Sequence, residues 1–388
     1  MQKCNMQVIF EDLASFIKTL FPNQEFIPLH APLFIGNERK YVMDTLDSTF
    51  VSSVGSYVNR FEEMMCEITG AKYAIAIVNG TNALHMALIL ADVNAEDEVL
   101  SQSLTFIATC NAISYIGAKP IFLDVDRDTL GLSPAAIKSF LEENAIMKSD
   151  GFTYNKHSGK RIKACVPMHT FGLPCRIDEI AEICEDWNIT LIEDAAESLG
   201  SYYKNKHTGV FGKIGTFSFN GNKTVTSGGG GALITNDSAL ATRAKHLTTQ
   251  AKVPHPWAFV HDEIGYNYRM PNLNAALACA QLEQLDKFVE NKRELANLYQ
   301  NKLERTDIQF VTELADAKAN YWLNALILEN KEQQQEFLGY MNSNGVMARP
   351  VWELMHRLPM FENAERGDLK NSEWIADRLV NIPSSVRL

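Results

Sequence analysis

From about residue 73 the chain alternates short, mostly apolar runs with helical patterns, and that alternation leaves few architectures open. The runs are Tyr73–Val78, Pro120–Val125, Ile162–Pro167, Thr190–Glu193, Thr216–Phe219 and Gly231–Thr235, with Glu98–Ser101 also strand-like. Short continuous apolar runs are what strands buried on both faces look like. Asn82–Leu90 and Asp178–Asp186 are the clearest helices between them. Strand and helix in alternation predict an α/β fold with a mostly parallel sheet covered on both sides.

Beyond Met270 the texture changes. Asn274–Val289 is strongly helical and runs on through the charged Glu290–Arg305, as a long connecting helix would. Tyr321–Leu328 then reads as a strand, Lys331–Asn342 as a helix and Val346–Trp352 as a further extended piece. At the other end, Ile9, Leu13, Phe16, Ile17 and Leu20 fall at helical spacing, which predicts an amphipathic N-terminal helix. The expected division is an N-terminal helical extension over 1–26, a large domain over 27–270, and a connecting helix with a smaller α+β domain over 271–388. Met147–Arg161 is polar and is expected to be a surface hairpin or loop.

The formal charge of −11 argues against a general nucleic-acid or membrane-surface binder, which needs clustered Lys and Arg. It leaves room for an anionic small ligand, because a few local donors hold a phosphate on an acidic protein. The seven cysteines form no CxxC pair, so a reducing, cytoplasmic setting without disulfides is expected. Glu11 and Asp12 interrupt the N-terminal apolar pattern where a signal peptide would be hydrophobic, and no run reaches the length of a membrane span. Cys165 and His169 lack zinc-site spacing, so no metal is expected.

Four pieces carry candidate chemistry. Asn79-Gly80-Thr81-Asn82 follows a strand and opens a helix, which suits either an anion at the helix N-terminus or a plain N-capped turn. Asp194, in Ile192-Glu193-Asp194-Ala195-Ala196, ends an apolar strand; it either faces the ligand crevice or caps the next helix. In Thr216–Thr224 a strand runs into a polar turn containing Lys223, which is either a buried lysine able to lose its proton or a surface lysine. Ser218 is placed to offer a hydroxyl to a phosphate, and Gly228–Gly231 let the backbone pass close to something bulky. Phe106, after the strand-like Glu98–Ser101, either covers a planar ring or packs in the core.

Taken in order with Gly55–Glu62, Pro167–Gly172, Gly265-Tyr266-Asn267-Tyr268-Arg269-Met270 and Ile382–Ser385, these pieces resemble the DegT/StrS-type sugar aminotransferases over about Ile27 to Ser385. That family uses pyridoxal phosphate (PLP) on the aspartate-aminotransferase fold, called fold type I. Phe219–Lys223, the Gly228–Gly231 run and the N-terminal helix with Pro28–Pro32 are similar to the legionaminic-acid and bacillosamine branch, which makes surface glycans such as lipopolysaccharide.

The resemblance implies a homodimer with shared sites. It implies Lys223 as the lysine that carries PLP, Asp194 as the partner of the ring nitrogen and Phe106 as the stacking ring. Gly80, Thr81, Asn82 and Ser218 are implied at the phosphate, Glu197 near the ring hydroxyl, and Asn267 at the phosphate of the neighbouring subunit. Arg349, Trp352 and His356 stand where they line a sugar site or simply pack, and the contact of His169 is left open. The implied reaction moves an amino group from glutamate to C4 of a UDP-linked 2-acetamido-4-keto-2,6-dideoxyhexose. The alternatives are a GDP-hexose, an eight-carbon ulosonic acid, or a PLP-dependent sugar dehydratase; the dehydratases often carry His where Lys223 stands. A non-enzymatic PLP-binding regulator needs a basic DNA-binding region, and a P-loop binder needs a lysine at P-loop spacing; this sequence has neither.

Overall fold

The computed structural model describes residues 2–387. Seven strands build the central sheet: β1 (Tyr73–Ile77), β2 (Asp97–Gln102), β3 (Lys119–Leu123), β4 (Arg161–Val166), β5 (Thr190–Asp194), β6 (Ile214–Ser218) and β7 (Gly231–Thr235). Their order across the sheet is β1-β7-β6-β5-β4-β2-β3. Neighbours from β6 to β3 pair in parallel, and β7 alone runs antiparallel between β1 and β6. A hairpin, Ala145–Met147 with Thr153–Asn155, pairs onto Arg161 and brings the sheet to nine strands. The polar stretch expected to be a hairpin or loop is therefore a hairpin.

Both faces of the sheet are apolar because successive side chains alternate. Ile75 and Ile77 pack on one side with the helices Gly80–Leu90 and Ser238–Thr248; Ala74 and Ala76 pack on the other with Ser56–Thr69 and Asn272–Leu282. The parallel arrangement brings the C-terminal ends of β1, β2, β4, β5 and β6 to one edge, where open α/β sheets bind ligands.

The long helix expected over Asn274–Arg305 is two helices, Asn272–Leu282 and Leu285–Leu303. The break falls where the segment around residues 33–41 grips the chain. Gln281 Nε2 donates to Leu33 O and Glu38 Oε1, while the Glu283 carboxylate takes Tyr41 OH and Asn37 Nδ2. Beyond it, Gln309–Phe310, Asn324–Ile327, Leu379–Ile382 and Arg349–Pro350 form a four-stranded antiparallel sheet. The N-terminal helix Gln2–Leu20 packs into the same core: Phe10, Leu13 and Ile17 lie buried with Phe337, Leu326 and Ile382, and the Phe10 and Phe337 rings meet edge to face at 5.1 Å. Among the described residues no helix is long and apolar enough to cross a membrane.

Candidate active site

At the C-terminal edge of the sheet lies a cavity of about 310 Å³. The turn after β1 forms one wall. Asn79 caps the helix Gly80–Leu90 by accepting the Asn82 N–H on its side chain (2.8 Å), and its carbonyl takes Ala83 N–H. Gly80 and Thr81 line the cavity at the first turn, where amides have no intrahelical acceptor. Asn82 is the cap's partner and does not line the cavity. Gly80 is required because a Cβ there would stand 2.8 Å from Ser218 Cβ, and Ser218 lines the same wall. The turn Gly265–Pro271 supports this helix from behind: Tyr268 OH meets His85 Nδ1 at 3.0 Å, and the Tyr266 ring lies 5.5 Å from the His85 ring.

Asp194 ends β5 and faces the cavity, nearly inaccessible to solvent. Thr109 donates to Oδ2 at 2.7 Å and the Ala196 N–H to Oδ1 at 3.1 Å. Burial pushes this carboxyl above its usual range; those two donors and the charge of Lys223 oppose the shift. A cation placed against it is therefore strongly favoured.

Lys223 lies mostly buried, with Nζ 3.2 Å from Glu197 Oε1 and 4.0 Å from the centre of the Trp322 ring. Glu197 is held on its other oxygen by the Phe171 N–H at 2.9 Å, which the left-handed backbone of Phe171 (φ 57°) turns toward it. Burial raises the Glu197 carboxyl too, and Lys223 opposes this most. Phe106 is half exposed at the rim, its ring 5.9 Å from Trp352, which also lines the cavity.

The structure thus brings Gly80, Thr81, Phe106, Asp194, Glu197, Ser218, Lys223 and Trp352 to one cavity. Others lie elsewhere. His356 Nδ1 meets Ser103 Oγ at 2.8 Å and its Nε2 lies 3.7 Å from Glu373. Arg349 is exposed and bonded to the Ala348 carbonyl. Asn267 is exposed and paired with Thr249, away from the cavity of its own chain. His169 is sealed inside: Cys175 N–H donates to Nδ1 (3.3 Å), which leaves Nε2 to carry the proton toward Glu193 (3.1 Å). Half of the glycine run faces the chain itself, while Gly228 and Gly229 stand open, with nothing nearer than Asn274 Nδ2 at 4.0 Å. A Cβ on Gly231 would stand 2.5 Å from the Asn79 carbonyl carbon, and one on Gly230 2.2 Å from Ser227 Oγ. What passes close to Gly230 and Gly231 is backbone, Ser227 and Met270, with no cofactor needed to explain these two.

Sequence reading missed Thr109, Met168, Asn222 and Trp322. The strand expected from Tyr321 begins only at Asn324, because Tyr321 adopts φ 47° and Trp322 turns into the cavity wall. An aromatic pair heading a strand was the available signal.

A family model described as the DegT/DnrJ/EryC1/StrS aminotransferase family matches residues 34–388. The chain belongs to this aminotransferase family. It is 37% identical to GDP-perosamine synthase of Escherichia coli O157:H7 over 361 residues, covering 93% of each chain. It is 39% identical to the putative pyridoxal phosphate-dependent aminotransferase EpsN of Bacillus subtilis over 339 residues, covering 87% of this chain and 84% of EpsN. The solved aminotransferase TlmJ of Streptoalloteichus hindustanus superposes with TM-score 0.84 at 25% identity, covering 92% of this chain and 93% of TlmJ. The fold is therefore that of the fold-type-I transferases, and the cofactor of the family is PLP. The cavity of this aminotransferase fits that group: a buried carboxylate for a ring nitrogen, a helix N-terminus with two hydroxyls for a phosphate, and a lysine between them in the lining.

Proposed function

We propose that this sugar-nucleotide aminotransferase moves an amino group from glutamate to a GDP-linked keto-hexose. The observation that carries the chemistry is Lys223 in one cavity with the buried Asp194 and the Gly80–Leu90 N-terminus. The observation that carries the sugar is the 37% identity to a GDP-perosamine synthase along 93% of both chains.

Bound there, PLP supplies a place for the amino group between donor and acceptor, and a ring that takes up the electron pair released in each half-reaction. Asp194, short of hydrogen-bond donors for its burial, keeps the ring nitrogen protonated. Thr81, Ser218 and the amides of Gly80 and Thr81 hold the phosphate. Phe106 and Trp352 shield the ring face and exclude water. Lys223 would hold the cofactor, and its free amine would move the proton to and from the reacting carbon of glutamate and of the sugar. Glu197 and the Trp322 ring give its ammonium a fixed position 3.2 Å and 4.0 Å away. Glutamate leaves as 2-oxoglutarate and the sugar carbonyl becomes an amine.

The UDP-linked 2-acetamido sugar expected from the branch motifs has less support than the GDP-linked alternative. Most of the branch motifs serve the fold: Gly230 and Gly231 pack on Ser227 and Asn79, the N-terminal helix packs into the core with Phe337 and Ile382, and Phe219–Lys223 is the turn that carries the lysine into the cavity. A panel assay decides. With glutamate as donor, 2-oxoglutarate release is followed with a GDP-linked keto-hexose, the UDP-linked 2-acetamido-4-keto sugar and an eight-carbon ulosonic acid, and products are identified by NMR. Preference for the GDP-linked sugar is expected; preference for either other sugar overturns the substrate and leaves the aminotransferase standing.

A further inference from the structure

Lys292 is fully buried on the helix Leu285–Leu303. Its ammonium donates to two backbone carbonyls, Trp322 O (3.2 Å) and Ser384 O, and among the described residues no carboxylate pairs with it. Burying an unpaired ammonium is costly, and a methionine of similar length would pack there without that cost. Packing therefore does not account for a lysine at this position.

Its acceptors do. Trp322 is held at three points. Lys292 takes its carbonyl, Asn320 Oδ1 takes its N–H (2.8 Å), and its indole Nε1–H donates to Asn222 O (2.6 Å). Asn320 is itself tied to the carbonyls of Glu197 (2.9 Å) and Leu199 (2.8 Å). Asn222 precedes Lys223, so the indole grips the turn that bears the lysine and lays its face 4.0 Å from Nζ. Ser384, the other acceptor, takes the Asn324 N–H on its hydroxyl (2.8 Å), which fixes the strand start just beyond Trp322.

We propose that Lys292 is a positioning residue: by tethering the Trp322 carbonyl it sets the indole beneath Lys223, which gives the free lysine a defined seat. The seat stabilises the ammonium through the ring face, and it holds Lys223 on the cavity side whenever the lysine is not bonded to the cofactor. Burial lowers the Lys292 ammonium to about 7, the desolvation cost of holding it at these two carbonyls. The inference rests on Lys223 being the lysine of the reaction.

The test uses cofactor-free protein and reads the labelling rate of Lys223 by an amine-reactive acylating agent, with mass spectrometry resolving the site. Trp322→Leu removes the ring face and is expected to speed labelling about fivefold; Lys292→Met is expected to speed it about twofold to threefold. The double variant should match Trp322→Leu alone, because Lys292 acts through the indole. Lys302→Met, farther along the same helix and paired with Asp12 at 2.6 Å, should lower thermal stability without moving the Lys223 rate. Additive effects, or a folded Lys292→Met with the wild-type rate, overturn the proposal. If Lys292→Met does not fold, Trp322→Leu still decides: an unchanged rate removes the seat and with it the role of Lys292. Since neither cofactor nor substrate is present, failure here leaves the aminotransferase reading intact, and failure of that reading leaves these rates as measured.

Discussion

Glu193 and Asp194 are neighbours on one strand and point to opposite sides of it. The Glu193 carboxylate accepts the N–H groups of Gly209 (2.7 Å), Phe211 (2.7 Å) and Gly212 (2.6 Å), and meets His169 Nε2 at 3.1 Å. The Asp194 carboxylate faces the cavity with Thr109 and the Ala196 amide. One acid anchors the loop leading into Ile214–Ser218; the other is turned to the cavity.

The two should therefore fail differently. Glu193→Ala strands three backbone donors and a buried histidine, so it should lose about 3–5 kcal/mol of stability in denaturant unfolding. A loss under about 1 kcal/mol would mean the loop 209–212 does not depend on this carboxylate.

Asp194→Asn should leave the unfolding midpoint almost unchanged and lower kcat by about 10²–10³, since an amide cannot balance a protonated ring nitrogen. Near-normal transamination by a folded Asp194→Asn protein would remove its role.

Purified protein with PLP should be yellow and lose that colour on adding glutamate. Borohydride should fix the cofactor to Lys223, and Lys223→Ala should abolish turnover. Tagging at another lysine, or turnover by Lys223→Ala, refutes the assignment.

Asn267 is proposed to complete the cavity of a second copy. It is exposed and follows a stretch of sequence in which Trp257, Phe259 and Ile264 are each more than 80% exposed. Co-refolding Lys223→Ala with Asn267→Ala should recover part of the activity that each lacks alone, because one of the mixed dimer's two sites is then intact. No recovery in a demonstrated mixed dimer counts against sharing.

His207 is buried and neutral: Gly200 N–H donates to Nε2 at 2.8 Å, so the proton sits on Nδ1 and points to Thr208 O. Burial lowers its pKa to about 4. Between its unfolded value near 6.5 and about 4, the unfolded chain takes a proton that the folded one refuses, so stability falls as pH falls through that window. Unfolding free energies of wild type and His207→Gln should differ in slope there, by about 1 kcal/mol per pH unit at most. Equal slopes would place a titrating histidine at 207.

Much of this was legible before any coordinates. The alternation after residue 73 reports strands buried on both faces, since period and apolarity are local properties of the chain. The ordered motifs located Gly80, Thr81, Asp194, Ser218 and Lys223, each at the end of a strand or in the turn that follows. The sugar-site candidates read least well, because a C-terminal Arg, Trp and His look alike whether they line a cavity or pack; only Trp352 reaches it.

The sequence by itself determined the α/β architecture and the family, and singled out Lys223 as the candidate lysine, because these follow from periodicity and from motifs short enough to be contiguous. Only the tertiary structure decided that Glu193 anchors a loop while Asp194 faces the cavity, that Gly230 and Gly231 clear Ser227 and Asn79, and that the Trp322 ring lies 4.0 Å from Lys223 Nζ. Those facts depend on how the strands and turns pack, which brings Trp322 to Lys223 and Gly231 to Asn79 across about a hundred positions or more, and a side chain's partners across such a distance leave no mark on local spacing.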